Sequence, residues 1–257
     1  MNEFKRISSK DNEIIKRVSK LQKEPSFRKN EGEFVAEGLR ICSDCVDNGI
    51  TFETLILSES FFEKEMKIEG IINNSKEKIV IKDYLFEKIS DTKNPQGIIG
   101  VGKIPNVFSK ELKRKGRYIA LENIADPANL GAISRTAEAL GVDGIILSSD
   151  SCDPYSPKSL RASMGTLLRM PIFIFDNFCN DIKESGLEVF ACVVSGGEDI
   201  KQQKFCDGSI VMIGNEANGL TEHAKSIGKN ITINMQGKAE SLNAAVAASI
   251  AMWELKR

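Results

Sequence analysis

The residues best suited to chemistry lie in two short stretches near the C-terminus and at one arginine well upstream. The first stretch reads Ile213-Gly214-Asn215-Glu216-Ala217-Asn218-Gly219-Leu220, and the second runs from Ile233-Asn234-Met235 to Glu240-Ser241-Leu242-Asn243. Each follows a short apolar run, at residues 210–213 and 231–233, of the kind that forms a buried strand. Where such a strand opens into glycine, amide and carboxylate residues, backbone N–H and C=O groups become free to meet a ligand. In an open α/β sheet, ligands bind at the carboxyl ends of strands, so both loops are expected to line a ligand site. Ser241 is expected to start the last helix, whose sequence L-N-A-A-V-A-A-S-I-A-M-W is apolar on nearly every side.

The upstream arginine is Arg135. A strand at 118–121 is followed by E-N-I-A-D-P-A-N-L-G-A-I-S-R-T-A-E-A-L-G and a strand at 145–147. Asp126-Pro127 favours a turn, Asn129 is expected to cap a helix over 130–140, and Gly141 ends it. This βαβ unit lacks both the G-x-G-x-x-G fingerprint and the P-loop pattern, so its first loop is polar rather than a glycine cradle. An arginine among Ile133, Ala137 and Leu140 either snorkels to solvent or is held near an anionic ligand; position alone leaves both open.

The elements that carry these residues fit an ordinary globular chain. It has 257 residues, 41% hydrophobic and 28% charged, with a net charge of −1. A nucleic-acid site therefore has to come from local charge rather than from the total. No apolar run approaches a membrane span, and M-N-E-F-K-R-I-S-S-K has no signal-peptide core, so a cytoplasmic protein is expected. The six cysteines fit free thiols in that compartment. Cys42 and Cys45 form a C-x-x-C inside a helical pattern and read as ordinary helix residues. The single His223 cannot anchor a multi-histidine site and reads as a surface residue, so no metal is expected.

Strands alternate with helices through the N-terminal half, which indicates a small α/β domain over 1–105. A first helix at 12–23, capped by Ser8 or Ser9, buries Ile14, Ile15, Val18 and Leu21 and turns Lys16, Arg17, Lys20 and Lys23 outward. Phe27 and Arg28 follow. These residues form either a solvated face, the reading favoured on this segment alone, or a phosphate patch with Phe27 free to stack on a base. Further strands are expected at 33–36, 54–57, 78–81 and 98–101, with helices at 39–48, 61–67 and 83–90. Periodicity fades over 106–116, the expected linker, and a second domain follows at 117–257. There a helix at 158–168 has a basic side of Lys158, Arg161 and Arg169, while Ser195-Gly196-Gly197 is weak evidence for a ligand loop and by default a flexible turn.

In order and spacing, three blocks of the second domain resemble the motifs of the SpoU/TrmH family of RNA ribose 2′-O-methyltransferases, of the SPOUT class. They are Asn123 to Gly141 with Asn129 and Arg135, Ile213 to Leu220, and Ile233 to Asn243. The N-terminal domain is similar to the L30e-like substrate-binding domain of ribosomal-RNA members, through I-S-S-K-D-N, R-K-N-E-G-E-F-V-A-E-G and T-L-I-L. The resemblance implies an α/β chain in which a small L30e-like domain precedes a parallel-sheet domain with a C-terminal trefoil knot. It implies S-adenosylmethionine as methyl donor, ribosomal RNA as substrate, and a homodimer through the last helix. Gly214, Ile233, Met235 and Leu242 then fall at cofactor-contacting positions. Asn129, Arg135, Glu216, Ser241 and Asn243 fall at the polar catalytic set, with sites completed across the dimer; Arg135 is expected to place the target phosphate, held by Glu216 and Asn129. RNA contacts are expected from Lys16, Lys20, Phe27, Arg28, Lys158 and Arg161.

The chain departs from the family pattern at Asn234, where proline is usual, and at Ala217, often glycine. The alternatives are a transfer-RNA ribose methyltransferase or a catalytically silent RNA-binding homologue; the intact polar set argues against the second. A nucleotide-dependent oxidoreductase is disfavoured by the missing glycine fingerprint.

Overall fold

A computed structural model describes residues 4–64, 67–105 and 111–257. They form two compact units, Met1–Asn106 with Tyr155–Arg169, and Val107–Pro154 with Met170–Arg257. Residues 106–110 of the expected linker lie outside the described residues.

The first unit runs β1 (Lys5–Ile7), α1 (Glu13–Lys23), α2 (Pro25–Glu31), β2 (Glu33–Glu37), α3 (Leu39–Asp47), β3 (Phe52–Ser58), α4 (Glu59–Phe62), α5 (Glu69–Asn73), β4 (Ser75–Ile81), α6 (Asp83–Ile89) and β5 (Ile98–Lys103). Its mixed sheet has the order β1-β4-β3-β5-β2. Ile15, Val18 and Leu21 of α1 join Ile56, Ile79, Leu85 and Phe86 in one buried cluster. The cap of α1 is Asn12, not Ser8 or Ser9: its Oδ1 accepts from Ile14 N at 2.9 Å, while Ser9 Oγ accepts from Asp11 N within the preceding turn. The helix expected at 61–67 is instead α4, which ends at Phe62; Glu65 and Met66 lie outside the described residues. Cys42 and Cys45 are buried on α3, and Cys42 Sγ donates to the Ala36 carbonyl.

The second unit runs β6 (Arg117–Leu121), α7 (Pro127–Leu140), β7 (Gly144–Ser148), β8 (Ile172–Phe175), α9 (Phe178–Glu184), β9 (Glu188–Val193), β10 (Glu198–Asp199), β11 (Ser209–Ile213), α10 (Glu222–Ser226), β12 (Lys229–Thr232) and α11 (Ala244–Lys256). Its strands pair in parallel in the order β10-β12-β9-β11-β6-β7-β8. The central strands β6, β7 and β11 are buried on both faces, as their unbroken apolar runs require.

The segment between β7 and β8 packs with the first unit, although the sequence pattern groups it with the second. Its helix α8 (Pro157–Ser163) is shorter than the 158–168 expected. Met164 and Gly165 both take left-handed backbone, which ends the helix before a single turn at Thr166–Leu168.

Candidate active site

The α7 helix begins earlier than its sequence suggests. Asp126, not Asn129, is the cap: its side chain accepts from Ala128 N at 2.9 Å, and Pro127 occupies the first helical position. Asn129 therefore stands inside the first turn, and its amide is free of capping duty. It spends that amide across the sheet. Asn129 Nδ2 donates to Glu216 Oε1 at 2.7 Å, and Asn243 Nδ2 donates to Asn129 Oδ1 at 3.0 Å. Three residues expected in one polar set are thus linked in a single chain of hydrogen bonds.

Asn243 also caps the last helix. Its Oδ1 accepts from Ala245 N and Val246 N, so α11 starts at Ala244 rather than at Ser241. Ser241 stays in the loop, exposed.

The loop after β11 is shaped by close approach. A Cβ on Gly214 would stand 2.1–2.4 Å from backbone atoms of Gly219 and Leu220. Asn215 closes the loop: its backbone bonds both ways with Gly219, its Oδ1 accepts from Ala217 N and Asn218 N, and its Nδ2 donates to the Asn123 carbonyl. The left-handed position is Gly219, with φ 66°, and Ala217 is not among the residues with positive φ. Alanine at 217 is therefore accommodated without backbone strain. Buried Glu122, at the end of β6, fastens the far side of the loop by accepting from Thr221 N and Thr221 Oγ1.

The loop after β12 is tied differently. Asn234 Nδ2 donates to Asp199 Oδ2 at 2.8 Å, so a side-chain bond to β10 stands where a proline would stiffen the chain.

Between the loops lies a cavity of about 370 Å³. Gly214, Glu216, Ile233, Met235, Ser241 and Leu242 are among the residues that line it. Sequence reasoning missed a third wall, Cys192 to Ser195, together with Lys225 and Asn230. The third wall is the carboxyl end of β9, which lies between β11 and β12 in the sheet. Nothing in the local sequence gives that strand order; Ser195-Gly196-Gly197 was the available signal. Gly197 itself serves packing, since a Cβ there would meet the Ile231 backbone at 2.6 Å. Burial pushes the Cys192 thiol up to about 11, so it lines the wall as a neutral group.

Arg135 does not join Asn129 and Glu216. It is exposed and has no partner among the described residues. The reason is helical geometry: six residues on from Asn129, at about 100° per residue, turns its side chain away from the Asn129 face. Within one chain, Arg135 therefore lies apart from the Asn129–Glu216 pair. Its neighbour Thr136 faces α11, with its hydroxyl 3.1 Å from that of Ser249.

The basic residues of the first unit divide. Arg28 is buried and donates to the carbonyls of Leu21 and Gln22 in the last turn of α1, so its role is structural and it does not offer an RNA contact. Phe27 packs against the core with Lys20 Nζ over its ring at 5.5 Å, so the stacking face is occupied. Exposed Lys16 lies 3.6 Å from Asp11. Lys158 is exposed, and Arg161 pairs with Asp91 at 2.6 Å. Among the described residues no group of acidic, histidine or cysteine side chains is arranged to hold a metal ion, and no helix is long and apolar enough to cross a membrane.

Residues 116–253 match the family model of the SpoU rRNA methylases, and residues 12–100 match the MRM3-like substrate binding domain. An uncharacterised tRNA/rRNA methyltransferase of Synechocystis is 27% identical, over 98% of this chain and 93% of that protein. The 23S rRNA guanosine 2′-O-methyltransferase RlmP of Bacillus subtilis is 25% identical, over 98% of this chain and all (100%) of its own. The crystal structure of an AdoMet-bound rRNA methyltransferase from Sinorhizobium meliloti superposes with a TM-score of 0.82 at 28% identity, covering 98% of this chain and 97% of that one.

Proposed function

The chain belongs to the SpoU rRNA methylase family, and we propose that it transfers a methyl group from S-adenosylmethionine to a ribose 2′-hydroxyl of ribosomal RNA. The observation that carries this reading is the Asn243–Asn129–Glu216 chain at a cavity walled by three strand ends.

The residues present fit the donor. A nucleoside-bearing sulfonium needs apolar walls and a few free backbone groups. Ile213, Leu220, Ile233 and Leu242 supply the walls, and the loops at Gly214 and Met235 supply the backbone. When bound, S-adenosylmethionine supplies an electrophilic methyl carbon whose sulfonium charge is lost on transfer, a change that a water-poor pocket favours.

The chain's own residues handle the nucleophile. A ribose hydroxyl is barely acidic, so it needs a hydrogen-bond acceptor and stabilisation of developing negative charge. Glu216 is the one carboxylate among the residues lining the cavity, and Asn129 fixes its orientation. Arginine holds its proton too tightly to act as a base. Arg135 is therefore assigned to anchoring the target phosphate and stabilising oxyanion charge.

A homodimer reading accounts for the position of Arg135. Val246 and Trp253 are 47% and 62% exposed on α11, with Ile250 between them, at the i, i+4, i+7 spacing of one helix face. An exposed apolar stripe of this kind marks an interaction surface. We read it as the seam between two copies, with Arg135 serving the second copy's cavity. The C-terminal half is read as a trefoil knot, supported by the return of the chain after β12, which lies between β9 and β10, to pack α11 on α7 and β11. Calorimetry with S-adenosylmethionine, followed by methyl transfer to ribosomal RNA, tests the reading. Donor binding without transfer to any RNA would favour the silent homologue.

A further inference from the structure

A second cavity, of about 280 Å³, lies wholly within the first unit and plays no part in the chemistry above. Ile41, Leu160 and Met164 give it an apolar floor. One of its walls is built around Glu37, which is only 5% exposed. That carboxylate accepts from Gln22 Nε2 at 3.0 Å, Asp91 N at 2.9 Å and Thr92 Oγ1 at 2.8 Å, and from the Ser90 hydroxyl, so the 90–92 loop is fastened to the end of β2. Arg161, paired with Asp91, holds the helix Pro157–Ser163 against the same loop.

The rim is not satisfied in the same way. Arg40 and Asn94 line the cavity, are exposed, and have no partner among the described residues. Gln96 Oε1 accepts from Leu39 N at 2.8 Å, while its amide hydrogens have no partner among the described residues. The cavity thus combines a rigid apolar floor, amide groups that both donate and accept, and one free guanidinium. Its carboxylates, Glu37 and Asp44, offset the charges of Arg40 and Arg161, so it does not suit a polyanion.

A nucleotide offers a base with apolar faces and a mixed donor–acceptor edge, and a single phosphate to one side. RNA is read largely through such splayed bases, and a free arginine is suited to a phosphate. The volume is just below the ~300 Å³ at which small-molecule sites begin, enough for one base-sized group. We propose that this cavity takes one splayed nucleotide of the RNA substrate, its base on Ile41, Leu160 and Met164 and its phosphate on Arg40. This rests on the RNA reading above and deepens it: the site is an anchor separate from the methyl-transfer cavity.

The test uses the full chain, a ribosomal-RNA transcript that it methylates, and the variants Arg40→Ala and Asn94→Trp, which remove the cation and fill the mouth. Neither residue has a partner whose loss would unfold the unit, and thermal melting checks this. The expected result is RNA affinity weakened about five- to tenfold, with KM for RNA raised and kcat at saturating RNA unchanged. Affinity for S-adenosylmethionine stays at the wild-type value, and Arg40→Ala lowers the salt slope by about one phosphate contact. If wild-type protein binds and methylates RNA while both variants match it within twofold, the nucleotide site is overturned and the methyltransferase reading stands. If wild-type protein binds no RNA, both fall.

Discussion

Asn129 donates a 2.7 Å hydrogen bond to Glu216, joining the first turn of α7 to the loop after β11, 87 residues further along the chain. The same amide accepts from Asn243 at the start of α11. One side chain therefore sets the register between three segments, and it is mostly buried. Asn129→Ala leaves a donor on Asn243 and an acceptor on Glu216 unpaired, at a cost of about 1–3 kcal/mol. The expected outcome is a fall in kcat of roughly tenfold or more with affinity for S-adenosylmethionine nearly unchanged. Steady-state kinetics beside calorimetry separate the two.

Gly214 admits no side chain. An added Cβ would stand 2.1 Å from the Gly219 carbonyl carbon, and backbone cannot yield as a side-chain tip can. Gly214→Ala is expected to abolish donor binding and to destabilise the second unit, whereas Ala217→Gly, at an unstrained exposed position, leaves both close to wild type. Titration calorimetry and thermal melting of the two variants check the contrast.

Asn234 stiffens its loop through Asp199 rather than through a proline ring. Asn234→Ala and Asp199→Ala are expected to weaken donor affinity by a similar factor, about threefold to tenfold for one exposed hydrogen bond. The double variant should be no worse than Asp199→Ala alone, because both single variants remove the Asn234–Asp199 bond and only Asp199→Ala also removes the cap on Lys201 N. Additive losses would show that the two side chains act separately.

The buried thiols set an alkaline limit to stability. Burial, aided by Asp44, pushes Cys45 up to about 12, and burial pushes Cys192 to about 11, from an ordinary value of 9.0. A pKa raised in the folded state means that the fold favours the protonated thiol. This contribution is complete below about pH 9 and is lost as pH rises through the folded values. Melting temperature should therefore decline above about pH 9, and Cys45→Ala should flatten the decline. A pH series of thermal melts for the two proteins reads it out.

Trp253 is 62% exposed on α11 beside Val246. If this stripe is the seam between two copies, Trp253→Arg yields monomers by light scattering. Transfer is then lost although the cavity of each copy is intact, because Arg135 no longer reaches a second copy's site.

Much of this was legible in the sequence, for identifiable reasons. Strands 118–121 and 210–213 carry unbroken apolar runs because both of their faces are buried, and such runs can be read locally. The loops at Gly214 and Met235 follow directly from those strand ends. What could not be read depends on contacts distant in sequence. Asn129 looked like a cap because asparagine favours caps; Asp126 with Pro127 outcompeted it, and its partner lay 87 residues away. Arg28 looked like a surface cation until the end of α1 supplied carbonyls for it. The wall at Cys192 depends on strand order, which no local pattern encodes. The grouping of Tyr155–Arg169 with the first unit is likewise a tertiary fact.

Ribose methylation leaves a product that can be identified directly. The most direct measurement is to incubate the purified protein with isotopically labelled S-adenosylmethionine and unmodified ribosomal RNA, digest the RNA to nucleosides, and locate the label by mass spectrometry. The expected product is one 2′-O-methylnucleoside carrying the label, formed by the wild-type protein and nearly absent with Arg135→Ala. Label on a base, or no label on RNA despite measurable donor binding, would contradict it.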